Sequence, residues 1–441
     1  MSSHRPTRRE ALRGLVAAGF AFPAVYRAHA SGASPNETLL HASFGASGMG
    51  FSDLRSLTES KNLKLVAVAE VDLKRAEQVR KLFPGVKVYQ DWRELLDKEK
   101  GLNSVNVSTP DHMHAPITMR AMGQGLHVYT QKPLTQTIFE ARKLTEAAAE
   151  KKLVTQMGIQ VHSHVVHRTI VEAIHEGVIG KVKEVHSWSG KHWGDAQPKP
   201  DRSDPVPADM NWDFWLGVAK ERPFIQGYYH PGEWRKRLDF GTGTFGDMGC
   251  HILDPVFGAL ALTAPSKVRS EGGSPVGASW GLDSQVRYDF PATKFTDGPV
   301  NLTWYDGDRR PPASIKALIG ERAMTDQGSI FIGTTGVLYA PYIDQPIVIQ
   351  DGKATGAKLP DPGGQNHYLQ FVDACRGMGK TSAPFSYSGP LTEMVLLGCL
   401  ATRFPQTTLE WSAATLQVVD NAAANEHVRR KYRKGWEVPG L

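Results

Sequence analysis

The sequence predicts an α/β protein with an N-terminal doubly wound parallel sheet and a second sheet further on. Strand-like and helix-like runs alternate from about residue 39 to residue 157, the pattern of a parallel sheet covered by helices. A glycine-rich turn, Gly45-Ala-Ser-Gly-Met-Gly50, joins the first strand to the first helix. From Lys181 the texture changes to an aromatic, proline-rich stretch followed by further strands.

The 441 residues are too many for one hydrophobic core, so two domains and a leader are expected. The formal charge of +6 is concentrated at the start. Residues 1–30 hold five Arg and one Glu, which leaves 46 basic and 44 acidic residues in the remainder. A near-neutral body offers no electrostatic footprint for nucleic acid or an anionic membrane. Arg8-Arg9, a moderately apolar run from Gly14 to Tyr26, and the small-x-small triplet Ala28-His29-Ala30 resemble a twin-arginine export signal over residues 1–30. The apolar run is too short to span a bilayer. The mature protein is therefore expected in the periplasm without a membrane span. Cys250, Cys375 and Cys399 show no metal-site spacing and are expected as small buried residues.

In order, strands are expected over 39–44, 63–71, 86–90, 104–108, 126–130 and 153–157. Helices are expected over 51–60, 72–82, 92–98, 115–123 and 137–150. A helix should run to about residue 174, followed by strands at 182–188, 267–271, 284–290 and 299–305. Helices are expected at 367–376 and 391–403, and a basic amphipathic surface helix at 425–436. His162, His164 and His167 do not share one helical face, and no carboxylate completes a set, so no metal site is expected.

Strand, glycine loop and helix in that order are the setting of a dinucleotide fingerprint. Gly45 permits the tight turn and Gly50 close helix–strand packing. Ser47 stands where a second glycine is usual, with Gly48 and Met49 beside it. The helix N-terminus favours a pyrophosphate. Glu70, twenty residues past Gly50, suits the ribose hydroxyls and favours NAD; Lys74 and Arg75 keep NADP possible. Pro133 has no N–H for a ladder and ends the strand before it, which holds Lys132 at the carboxyl edge where ligands bind. Asp247 and His251 lie four apart on one helical face, so the carboxylate can orient an acid–base imidazole. The aromatics between residues 191 and 240 suit sugar faces.

Taken together, Gly45–Gly50, Ser108-Thr-Pro110, Gln131-Lys-Pro133 and Asp247-x-Gly249-x-His251 resemble the Gfo/Idh/MocA oxidoreductases. Tyr387-Ser-Gly-Pro-Leu-Thr-Glu-Met-Val-Leu-Leu-Gly398 and Tyr432-Arg-Lys-Gly-Trp436 are similar to the exported subgroup. The resemblance spans nearly everything after the leader. It implies a Rossmann NAD(P)-binding domain over 36–158 and an α/β domain over 159–441 with a large open mixed sheet. That sheet implies a homo-oligomer. The resemblance also implies Lys132, Asp247 and His251 as the catalytic set, with Thr109 and Pro110 flanking the nicotinamide. Where the family carries glutamate, this chain has Gln131, which keeps hydrogen bonds but lacks the charge.

The leading expectation is a periplasmic NAD(P)-dependent oxidoreductase of a carbohydrate or polyol, with Trp234, Arg235 and Tyr305 touching substrate. Two alternatives are a glycoside-cleaving enzyme that oxidises its substrate transiently and a sugar-binding protein with reduced catalysis. Export of a folded chain to a compartment poor in free NAD implies a cofactor loaded in the cytosol by the twin-arginine route and retained through turnover.

Overall fold

The computed structural model describes residues 38–441, so the expected leader lies outside the described residues. The N-terminal sheet has six strands: β1 (Leu39–Phe44), β2 (Leu63–Ala69), β3 (Lys87–Tyr89), β4 (Ser104–Val107), β5 (His127–Gln131) and β6 (Thr155–Gly158). All pairs are parallel, in the order β3-β2-β1-β4-β5-β6. The order reverses between β1 and β4, and a doubly wound sheet binds its ligand at that switch. β1 and β4 are buried almost throughout, because helices cover both faces. His41 survives inside β1 because Ser104 Oγ and Asn106 Oδ1 meet its two ring nitrogens at 2.9 and 3.0 Å.

The helix Ile138–Glu150 starts where its chemistry requires. Thr137 accepts from the Glu140 N–H while the Glu140 side chain accepts from the Thr137 N–H, a reciprocal cap.

The second sheet has ten strands: β7 (Val182–Ser189), β8 (Lys267–Gly272), β9 (Gln285–Phe290), β10 (Thr296–Asp306), β11 (Gln327–Gly333), β12 (Val337–Pro341), β13 (Ile347–Gln350), β14 (Lys353–Ala354), β15 (Thr408–Ser412) and β16 (Gln417–Val418). Its order is β14-β13-β12-β11-β7-β10-β9-β8-β15-β16, with β7 and β10 parallel and the other pairs antiparallel. It is thus the large mixed sheet expected, although β11 to β16 were not legible as strands.

The helix Phe385–Ala401 joins the two halves. It begins six residues before the expected start and runs through Pro390. Burial on nearly every side overrides the proline, and Gly389 and Gly398 let neighbours approach. A Cβ at Gly389 would meet Thr145 Oγ1 at 1.9 Å, and one at Gly398 would meet Phe245 Cε1 at 2.1 Å. Arg142 forks onto Glu393 with two 2.8 Å bonds and ties this helix to Ile138–Glu150.

The C-terminal tail is not the surface helix expected. A short helix, Ala422–Asn425, gives way to an irregular strap over the N-terminal half. Tyr432 donates to Glu140 Oε1 at 2.6 Å, Arg433 Nε donates to Gly217 O at 3.1 Å, and Trp436 is buried beneath Arg93. These tertiary partners replace the bonds a helix would make. All three cysteines are free and buried.

Candidate functional site

A cleft of about 390 Å³ runs from the glycine loop to the helix Gly243–Ile252. Its first wall is the carboxyl edge of β1, β2, β4 and β5. Gly45 has φ +98°, and a Cβ there would lie 2.5 Å from Ser108 O; a Cβ at Gly50 would lie 2.8 Å from Gly45 O. Both positions therefore require glycine. Gly48 sits at the N-terminus of the helix Met49–Leu57 with open space where a Cβ would point. The loop is thus a bare backbone cradle facing a helix N-terminus, as a pyrophosphate needs.

Glu70 ends this wall. Its carboxylate accepts the N–H of Ala46 and of Asp72, both at 3.1 Å, so it fixes the loop and still faces the cleft. Burial raises its pKa against those two bonds. Arg75 donates to Ser47 Oγ at 2.8 Å and also lines the cleft. Further in, the buried Thr109 hydroxyl has no hydrogen-bond partner among the described residues, which leaves it for a ligand. These features fit a nicotinamide dinucleotide, which Gly45, Ser47, Gly48 and Met49 would hold at the phosphates, Glu70 at the ribose, and Thr109, Pro110, Gln131 and Lys132 toward the nicotinamide.

The second wall brings Asp247 to Lys132. Lys132 Nζ donates to Asp247 Oδ1 at 2.6 Å and to the Asp247 carbonyl at 2.8 Å. Burial would raise the Asp247 carboxyl, but the Lys132 ammonium and the Arg235 guanidinium outweigh it and hold the group well below the usual range. Arg235 Nε lies 3.5 Å from the same oxygen, and its guanidinium stacks over Trp234 and Trp193. Trp234 and Arg235 line the cleft.

Two expected residues lie elsewhere. His251 is one turn past Asp247 and does not line the cleft. Burial lowers its pKa to about 3, the Lys132 charge adds to this, and its Nδ1 has no hydrogen-bond partner among the described residues. It is therefore a neutral imidazole. Tyr305 does not reach the cleft. It packs with Trp188, Ile330 and Tyr339 on the second sheet, its hydroxyl 3.0 Å from His186 Nδ1. Alternation along β10 turns Tyr305 to that face.

Four groups in or behind the cleft were not legible in the sequence. Asp111 is a cleft carboxyl that accepts from Thr242 Oγ1 at 2.8 Å; burial pushes its pKa up to about 7. His114 bridges the Pro133 and Thr109 carbonyls at 2.7 and 2.8 Å, and burial pulls its pKa down to about 4. His230 lines the cleft with Nε2 3.2 Å from Asp72 Oδ2. Asp53 lies just behind Gln131 and is wholly buried. Asp111, His230 and Asp53 meet partners 131, 158 and 78 residues away, so spacing carried no signal for them.

The histidines near residue 165 also acquire a carboxylate that spacing did not show. Asp254 receives His162 Nδ1 at 2.9 Å and faces His167 Nδ1 at 3.7 Å. This is an ion-pair cluster. Among the described residues, the grouping with cation-type spacing is the surface trio His192, Asp283 and Asp308.

Residues 41–159 match the oxidoreductase family, NAD-binding Rossmann fold, and residues 164–438 match the oxidoreductase family, C-terminal alpha/beta domain. Levoglucosan dehydrogenase of Pseudarthrobacter phenanthrenivorans is 24% identical over 187 residues, 42% of this chain and 40% of that protein. Inositol 2-dehydrogenase of Rubrobacter xylanophilus is 31% identical over 147 residues, 33% of this chain and 42% of that protein. The chain thus spans about two fifths of the length of these curated relatives. Among solved structures, biliverdin reductase of Synechocystis sp. PCC 6803 with biliverdin and NADP+ superposes with TM-score 0.59 at 14% identity, covering 83% of this chain and 99% of that one. An oxidoreductase of Agrobacterium radiobacter with NAD+, L-tartaric acid and magnesium superposes with TM-score 0.57 at 14% identity, covering 84% and 98%. These likenesses show the shared fold. With both halves matched and the glycine cradle in place, the chain belongs to the Gfo/Idh/MocA oxidoreductase family and takes a nicotinamide dinucleotide as cofactor.

Proposed function

We propose that the protein oxidises or reduces a hydroxyl-bearing carbon of a carbohydrate or polyol. The observation that carries this is the Lys132–Asp247 pair lining the cleft. An ammonium has three donors, and two are spent on Asp247, which leaves one for a substrate oxygen. In the reducing direction Lys132 gives its proton to the carbonyl oxygen as the C–H bond forms. In the oxidising direction the amine must first be neutral, and it then takes the hydroxyl proton. Asp247 orients Lys132 in both directions, and neutral His251 adds no positive charge beyond those of Lys132 and Arg235. The bound nicotinamide supplies or accepts the hydride. Trp234 and Arg235 offer an aromatic face and a fork of donors, which suits a polyhydroxylated ring. The names of the levoglucosan and inositol relatives point to the same substrate class.

The export leader, periplasmic location, retained cofactor and assembly through the second sheet belong to the same proposal. A second reading, glycoside cleavage after transient oxidation, is favoured by Asp111, a cleft carboxyl positioned to handle a further proton. One experiment separates these. The mature protein is purified from the periplasm, and half is denatured to quantify released dinucleotide. The other half is incubated with a mixed pool of sugars, polyols and aryl glycosides and assayed by mass spectrometry. Roughly one dinucleotide per chain and a two-hydrogen mass change on a sugar or polyol support the first reading. Release of an aglycone supports the second. An empty protein that turns over only non-carbohydrate alcohols would overturn both.

A further inference from the structure

Gln131 faces the cleft beside Lys132, yet its amide points inward. Its Nε2 donates to both oxygens of Asp53, at 3.0 and 2.9 Å, and its Oε1 accepts the Lys132 backbone N–H at 3.3 Å. Asp53 accepts two further bonds, from Ser108 Oγ at 2.7 Å and from the Tyr368 hydroxyl at 2.9 Å. All these partners donate, so only a carboxylate can accept from every one. Because Asp53 only accepts, it dictates which end of the Gln131 amide faces Lys132. Ser108 in turn backs the glycine loop, its carbonyl beneath Gly45 and its Cβ beneath Gly50. Tyr368 comes from the helix His367–Cys375 and stacks on Tyr129 of β5, with ring centroids 5.5 Å apart. One buried carboxylate thus holds the glycine loop, the end of β5 and a helix from the C-terminal half.

We propose that Asp53 is a positioning residue for the cofactor, acting through Gln131 and Ser108, and that residues 53 and 131 form one carboxylate–amide pair whose charge lies on the inner member. The pair explains how position 131 is uncharged while a carboxylate remains one layer behind the cleft wall. Burial pushes the Asp53 pKa up to about 6 against its three donors. The titratable groups facing it are Tyr129 and Tyr368, both held far above neutrality by burial. His41 is linked to it only through Asn106 and Ser108, and burial holds its pKa at about 4.

The test moves the charge from one member to the other. Asp53→Asn, Gln131→Glu and the double variant, each first freed of any retained dinucleotide, are titrated with NADH by fluorescence at pH 7.5, and their thermal midpoints are recorded. Gln131→Glu sets two carboxylates about 3 Å apart and should weaken NADH binding at least ~10-fold. Asp53→Asn should weaken it by roughly 3-fold, and the double variant should return within about 3-fold of wild type. In wild type, affinity should fall as pH drops through about 6, and Asp53→Asn should lack that limb. A double variant as weak as Gln131→Glu alone would overturn the proposal. So would a Gln131→Glu protein that loses thermal stability and keeps its NADH affinity, since the pair would then be purely structural. No substrate is needed, so the outcome is independent of the substrate class proposed above.

Discussion

Lys132 Nζ lies 2.6 Å from Asp247 Oδ1, although 115 residues separate them in the chain. β5 ends at Gln131, and the helix Gly243–Ile252 carries Asp247 across the cleft to meet it. This pair joins the cofactor half to the half that completes the site.

Lys132→Ala should lower kcat by about 10²-fold or more, the usual scale for losing positioned proton transfer. Lys132→Arg keeps a cation beside Asp247 but cannot give up its proton, so kcat should fall comparably with the thermal midpoint nearly unchanged. His251→Ala should also lower kcat, through loss of the neutral group behind Asp247. Near wild-type steady-state rates in Lys132→Ala and His251→Ala would move the chemistry elsewhere.

Asp111 should make both stability and rate depend on pH near neutrality. Its folded pKa, about 7, lies above the ordinary 3.8. Its contribution to stability is therefore complete below about pH 4 and is lost as pH rises through about 7. Asp111→Asn should remove that slope from urea unfolding curves recorded between pH 5 and 8. If Asp111 handles a proton, the same variant should erase a kcat/KM limb near pH 7.

The Asp254 cluster should behave in the opposite sense. Burial raises the Asp254 carboxyl, but His162 and His167 outweigh it and hold it far below its usual range. Its contribution is present above the unfolded value of 3.8 and is lost as pH falls toward the depressed folded value. Burial lowers the His162 pKa, and Asp254 more than reverses this, so its contribution holds below 6.5 and fades as pH rises through the raised value. Asp254→Ala leaves the histidines unpaired and should cost about 3–5 kcal/mol, measured by chemical denaturation.

Arg75 and Glu70 should set the choice between the two dinucleotides. Arg75 lines the cleft at the loop end and would pair with a 2′-phosphate. Arg75→Ala should therefore weaken NADPH binding about 10-fold and NADH binding much less, read by fluorescence titration. Equal losses for both would place Arg75 away from the ribose.

The readable part of the site is its local part. Gly45 and Gly50 are legible because a turn and a close approach each admit only glycine, and Lys132 because Pro133 stops the strand beside it. The tail misleads because its basic amphipathic pattern matches a helix, whereas Glu140, Gly217 and Arg93 engage its side chains one at a time. Tyr305 misleads because the sequence does not say which face of β10 meets the cleft.

By itself the sequence determined the alternating α/β order, the glycine cradle, Glu70 at the end of β2 and Lys132 at the end of β5, since these depend on neighbours a few residues away. Only the tertiary structure decided what charge each group carries and what it touches. Asp53 meets Gln131 across 78 residues, Asp254 meets His162 across 92, and Asp111 sits under Thr242 across 131. Desolvation and pairing act over a few ångströms of space, and the chain brings those groups together only after both sheets have formed.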